Sequence, residues 1–457
     1  MRSIRKAATA VSAVLIAAGL LAACSTSPGQ PDAGGKTAIT VVSLKPGSEQ
    51  SAFDAFENQV KQFEAANPDI DVTSQEYEWT GPTFTAQLAG GTLPTVFTVP
   101  FTDGKSLIER GQLADLSQYV RAFGYADKFN PTVLRSGQSA DGGIFGVPTA
   151  AYGVGLHYNR TLFKQAGLDP DKPPATWDEV RSYAKQIAER TGQAGYAQMT
   201  QENTGGWMLT SLTYALGGRM QVANGDKVEA TIDNPGAREA LTRLREMRWQ
   251  DNSMGSNFLY DWGSINQEFA AGRIGMIMAG SDIYESLVQQ NNIKPADYGL
   301  AVLPLAPGGS AGLLGGGTLA AVNVKASPKQ QAAAAKWIDF YYMSKFLKQD
   351  AAVLDAKTLS ESKQPVGLPK LPIFDKATLD QYNQWIKPYV NVPLSQMRSF
   401  NEGIFDQELA GEPTAHTQEM YAVLDTVVQA VLTDPGANID QLLSTADSDV
   451  QAILDRG

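Results

Sequence analysis

A chain of 457 residues with 43% hydrophobic content is long enough for two globular cores rather than one. Its formal charge of −11 works against nucleic acid, anionic lipid surfaces and acidic polymers as partners. The single cysteine, Cys24, excludes an internal disulfide framework.

The chain opens with Arg2, Arg5 and Lys6, followed by an apolar stretch over 10–21 and then Leu21-Ala22-Ala23-Cys24. That stretch is too short for a hydrocarbon core of ~30 Å, so residues 1–23 read as a secretory leader. The four residues resemble a bacterial lipobox. This implies acylation of Cys24, and loss of the three basic residues takes the side-chain charge to −14. Residues 24–36, rich in Ser, Pro, Gly and Asp, cannot bury enough apolar surface to fold and read as a flexible tether. The expected location is the outer face of a bacterial cell membrane, reached through the lipid alone. No later stretch is long and apolar enough to span a bilayer.

The β-branched run 38–44 predicts a strand. Phe53, Phe56, Val60 and Phe63 then recur at helical spacing until Asn67-Pro68. A second strand over 70–77, a short helix over 84–88 and a third strand over 95–99 complete a β-α-β-α-β order, which predicts a parallel sheet. Ligands of such sheets sit outside the carboxyl ends of the strands, here loops 43–47, 79–82 and 100–104.

A second α/β region follows. Thr176 and Glu179 form a capping-box pattern opening a helix to about Arg190, and another helix is expected over 236–249. A strand over 274–278 comes next. Gly-rich 306–317 leads into a strand over 318–324, a strong helix covers 332–346, and the last sixty residues read as largely helical. No internal repeats occur.

Mid-chain motifs are more specific. Gly143-Ile144-Phe145-Gly146-Val147-Pro148 precedes Tyr158-Asn159-Arg160-Thr161-Leu162-Phe163, then Ala166-Gly167-Leu168 and Pro173-Pro174-Ala175-Thr176-Trp177. With Leu88-Ala89-Gly90-Gly91, Phe269-Ala270-Ala271-Gly272 and Gly315-Gly316-Gly317, this order resembles the family 1 extracellular solute-binding proteins, carbohydrate receptors of ABC importers. The resemblance implies an α/β, two-lobed periplasmic-binding-protein-like fold with hinge crossovers near 146–149, 316–319 and 365–372, and a largely helical C-terminal part. It assigns 37–148 with about 318–365 to an N-terminal lobe, and 149–317 with about 366–457 to a C-terminal lobe. It further implies a monomer that captures a sugar or oligosaccharide and hands it to the membrane permease, with no cofactor, metal or catalytic residue.

A sugar presents hydroxyls that need partners and C–H faces that prefer an apolar plate. A ring face of ~50–100 Å² gains about 1–2.5 kcal/mol on being covered, and a stranded hydroxyl costs about 1–3 kcal/mol. The candidates with that chemistry are Trp262, Trp207, Glu202, Asn203, Asp103, Tyr152 and Ser281, with Gly315 and Gly316 as sources of backbone amides; Trp79 and Arg398 complete the set. Asp103 is equally suited to capping the following helix.

Other classes fit less well. The two histidines, His157 and His416, have no metal-ligand spacing, and no nucleophile elbow or phosphate-cradling loop is present. A secreted hydrolase has only scattered carboxylates in its favour. The alternatives kept open are a polyol, a glycerol-phosphodiester, or ferric iron at Tyr341-Tyr342, although adjacent helical residues point about 100° apart.

Overall fold

The β-branched opening forms strand β1 (Thr37–Val42), which pairs in parallel with β2 (Ile70–Gln75) and β3 (Val96–Pro100). This is a computed structural model. It describes residues 35–456 apart from Glu49, Glu78, Thr80 and Asp226; the leader, Cys24 and all of the tether before Gly35 lie outside the described residues. Helices Gln50–Ala66 and Gly81–Gly90 make the crossovers. Phe56, Val60 and Phe63 are buried as their spacing predicts, with Phe63 edge-on to Trp337 at 5.2 Å.

The sheet then turns mixed. The 14-residue β4 (Gly146–Asn159) is followed by the hairpin of β5 (Gln221–Asn224) and β6 (Lys227–Ala230), then β7 (Met276–Gly280), β8 (Tyr298–Val302), β9 (Leu313–Val322) and β10 (Leu409–Gly411). The main order is β2-β1-β3-β9-β4-β7, with β8 also on β4 and β10 on β9. β4 gives its first half to β9, from Gly146↔Ala321 to Gly153↔Gly315, and its second half to β7 and β8. Two lobes thus share one long strand. The register breaks between Pro148 and Ala150, where proline has no N–H to offer the ladder.

The strand expected over 274–278 forms two residues later; Ile274 makes only a single bridge, to Ala194. Both long helices are interrupted by a wider turn. Pro235–Arg245 passes into Glu246–Gln250, where Arg181 pairs with Glu246, and Pro328–Ile338 passes into Asp339–Met343.

Segment 366–390, expected in the second lobe, makes contacts with the turn at 128–130 and with Phe346. Asn130 donates from Nδ2 to the Pro372 carbonyl at 3.1 Å and from its backbone to that of Ile373 at 3.0 Å. Phe374 stacks on Phe129 at 4.8 Å, and Tyr382 meets Phe346. Beyond it, helix Arg398–Gly403 packs on β8, and Gln407 donates to the Leu303 carbonyl at 2.7 Å.

His157 is fully buried in β4, with Nδ1 2.7 Å from the Tyr298 hydroxyl and Nε2 3.1 Å from the Ala279 carbonyl. Burial lowers its pKa to about 4, against the ordinary 6.5. Between those values the unfolded chain takes up a proton that the folded one refuses, so stability falls as the pH drops through that window. Wild type should lose roughly 2–3 kcal/mol more than His157→Gln in urea titrations compared at pH 7 and pH 4.5. Equal losses would mean that the imidazole is protonated in the folded protein.

Trp177 opens helix Trp177–Thr191 and donates from Nε1 to the Pro304 carbonyl at 2.9 Å, a packing role. Tyr341 stacks on Trp337 at 5.1 Å and lies edge-on to Tyr342 at 4.7 Å. Among the described residues, no group of three or more His, Cys, Asp or Glu side chains could hold a metal ion.

Candidate ligand-binding site

Helix Thr204–Ala215 begins from a strained loop, with Glu202 at φ 56° and Asn203 at φ 67°. Side chains other than glycine pay for that left-handed region. Asp425, on helix Thr417–Thr433, holds it by accepting from the Asn203 N–H at 2.8 Å and the Gly206 N–H at 2.7 Å. Gly206 permits the close approach, since a Cβ there would lie 2.3 Å from the Tyr421 carbonyl oxygen. The first turn of the helix then presents Trp207.

Two other elements complete a ring wall. Asp261 caps helix Trp262–Ala270 by accepting from the Ser264 N–H at 2.7 Å while Ser264 Oγ accepts from the Asp261 N–H at 3.0 Å. This box fixes Trp262 at the first helical position, 37% exposed. From β4 comes Tyr152. Trp207 stands 6.2 Å from Tyr152 at 78° and 6.1 Å from Trp262 at 45°. The three rings border a cavity of about 310 Å³, which Glu202, Asn203, Asp282, Glu412, Gln418 and Tyr421 also line.

Its polar side is carboxylate-rich. The Tyr152 hydroxyl donates to Glu412 Oε1 at 3.2 Å. The Trp207 indole N–H and the Tyr421 hydroxyl are drawn toward the same carboxylate, yet neither closes a hydrogen bond. Burial raises the Glu412 and Asp282 carboxyls above their ordinary range; Lys370, from outside the cavity lining, partly offsets this at Asp282. Among the described residues, no Lys or Arg lines this cavity. Such a lining can cover a C–H face with a ring and take hydroxyl protons on carboxylates.

Tyr152, Glu202, Asn203, Trp207 and Trp262 are therefore brought together. Trp79 and Asp103 meet elsewhere, in a groove of about 620 Å³ between helices Gly81–Gly90 and Phe101–Glu109, with Arg110 and Lys325. Ser281 is fully buried beside Asp282 and donates its backbone N–H to the Gly153 carbonyl at 2.9 Å, so it stops one residue short of the cavity lining. Arg398 is exposed near Asp171, away from the rings. Gly315 and Gly316 sit in β9 opposite Gly153 and Tyr152, inside the ladder. Asp282, Glu412, Gln418 and Tyr421 were absent from the sequence candidates. Asp282, next to Ser281 after a strand, carried a local signal; the other three lie in the C-terminal part and carried none.

The bareness of Gly316 makes the seat for Tyr152, because a Cβ there would lie 2.6 Å from the Tyr152 hydroxyl oxygen. Gly316→Ala should push that ring off Glu412 and weaken ligand binding by about 5–20-fold, roughly the value of one ring contact and one hydrogen bond. Fluorescence titration checks this. Unchanged affinity would mean that Tyr152 takes no part in binding.

A family model described as bacterial extracellular solute-binding protein matches residues 46–345. The chain belongs to the bacterial extracellular solute-binding proteins. Within curated sequences, this solute-binding protein is 26% identical over 264 residues to a binding protein of Brucella abortus (57% of this chain, 62% of the relative). It is 23% identical over 286 residues to the sn-glycerol-3-phosphate-binding periplasmic protein UgpB of Escherichia coli K12, covering 59% and 62%. The match thus spans 62% of the length of these relatives. Among solved structures, the cyclic alpha-maltosyl-1,6-maltose binding protein from Arthrobacter globiformis superposes with a TM-score of 0.71 at 24% identity, covering 93% of this chain and all of that one. That likeness establishes the two-lobed maltose-binding-like fold.

Proposed function

We propose that this protein captures a neutral carbohydrate between its lobes and delivers it, chemically unchanged, to the permease of an ABC importer. The observation that carries the reading is the wall of Tyr152, Trp207 and Trp262 facing Glu202, Asp282 and Glu412, with no cation lining it among the described residues. Apolar plates beside hydrogen-bond acceptors suit a sugar ring, and three carboxylates oppose a phosphate group. The charge pattern therefore favours the ligand class of the maltosyl-maltose binding protein over the glycerol-phosphate class of UgpB.

In this reading the lobes comprise 37–148 with 318–390, and 149–317 with 391–456, the third crossing lying near Val392. Ligand favours closure through its stronger contacts with the closed form. The chain acts as a monomer held outside the cell membrane by a lipid on Cys24, and the contact carboxylates bind without catalysing. Calorimetry against neutral oligosaccharides, mannitol and sn-glycerol 3-phosphate tests the proposal. A saccharide should bind with micromolar or better affinity and be recovered intact. Binding confined to the phosphate ester, or cleavage of the saccharide, would overturn it.

A further inference from the structure

A second cavity, of about 380 Å³, lies between β4 and the segment 345–383. Thr149, Ala150 and Ala151 line it, immediately before Tyr152 lines the first cavity. Glu285 lines it from the second lobe, three residues past Asp282, and Lys370, whose charge acts on Asp282, lines it as well. The two linings thus adjoin along the chain at two places, Ala151 beside Tyr152 on β4 and Glu285 one helical turn past Asp282.

Lys345 and Asp355 both border this second cavity, and neither has an ion-pair or hydrogen-bond partner among the described residues. The Lys345 ammonium sits 5.5 Å from the Phe346 ring centroid, and burial lowers its pKa while Asp355 opposes that shift. Leaving a part-buried donor and acceptor unused is costly, each by about 1–3 kcal/mol. The charged lining is balanced, with Lys345 and Lys370 against Glu285 and Asp355. An anionic group would meet both carboxylates, and an ammonium would meet both lysines. A hydroxyl escapes both conflicts, because it can accept from one partner and donate to the other. Phe346 and Tyr382, 5.4 Å apart, supply ring surface in the same lining.

We infer that this cavity is a second ring subsite, in which Lys345 donates to one sugar hydroxyl, Asp355 accepts from another, and Phe346 and Tyr382 cover the ring, so that the ligand is an oligosaccharide rather than a monosaccharide or small polyol. The inference rests on the carbohydrate reading above. Calorimetry on the full chain with a homologous mono-, di- and trisaccharide series tests it, using Lys345→Met, Asp355→Asn and Trp262→Ala. Lys345→Met and Asp355→Asn should each weaken the longer ligands about tenfold and leave the monosaccharide within about twofold, the scale of one hydrogen bond to a charged group. Trp262→Ala should weaken every length. If both polar variants, folded by their melting curves, bind all lengths as wild type does while Trp262→Ala does not, the second subsite is overturned and the carbohydrate reading stands. If no saccharide of any length binds the unaltered protein, the carbohydrate reading falls and takes the subsite with it.

Discussion

Asp425→Ala should lower folding stability by about 3 kcal/mol and disable ligand binding through a residue that lines neither cavity. Two backbone N–H groups depend on its carboxylate, those of Asn203 and Gly206, and its side chain is buried at 7% exposure. Hydrogen bonds to a charged partner are worth about 1.5–3 kcal/mol each, and the Gly206 N–H left behind is buried. The loop would then lose the support that keeps Glu202 and Asn203 at positive φ, and helix Thr204–Ala215 would no longer aim Trp207 at the cavity. Urea unfolding reads the first effect and calorimetry the second. Asp425→Asn keeps one acceptor and should lose about half as much stability. Equal effects of both substitutions would show that the carboxylate acts as a charge rather than as a double acceptor.

The second large effect concerns affinity. Trp262→Ala and Trp207→Ala should each weaken saccharide binding by about 5–70-fold, the equivalent of ~1–2.5 kcal/mol for an uncovered ring face. The double variant should lose about 25-fold or more. Trp262 separates binding from folding more cleanly, because it is already 37% exposed and its removal leaves the core untouched. Trp207 also supports Tyr152 at 6.2 Å, so its loss should depress the melting temperature too. Wild-type affinity in both variants would remove the ring wall from the binding site.

The split between what the sequence disclosed and what it withheld follows the range of the interactions. Alternation and helical spacing act within ten residues, and they delivered β1, β2, β3 and the Phe56–Val60–Phe63 stripe. The polar residues Glu202 and Asn203 and the tryptophans Trp207 and Trp262 were candidates on their side-chain chemistry, and all four line the cavity. Glu412, by contrast, meets Tyr152 across 260 residues, and nothing in a single sequence records such a pairing. The rule for strand carboxyl ends did bring Trp79 and Asp103 together, but their side chains line the groove between two helices. The glycines 315 and 316 were read as amide donors; within a paired strand, their use is the volume they leave empty. The contacts of Pro372 and Ile373 with Asn130 are equally remote along the chain.

The β4–β9 pairing limits how the halves can travel. Sliding an antiparallel pair by one residue turns every side chain to the opposite side, so a slip of β4 along β9 would carry Tyr152 off its bare seat at Gly316. Swinging about the irregular step at Pro148–Ala150 spares the ladder on either side. In the proposed lobe division every residue of the ring-walled cavity rides on one arm of that pivot and stays assembled when the arms part, whereas the cavity bordered by Lys345 and Glu285 draws on both arms. A guest can accordingly land on a finished platform first and have its far end gripped only as the jaw shuts.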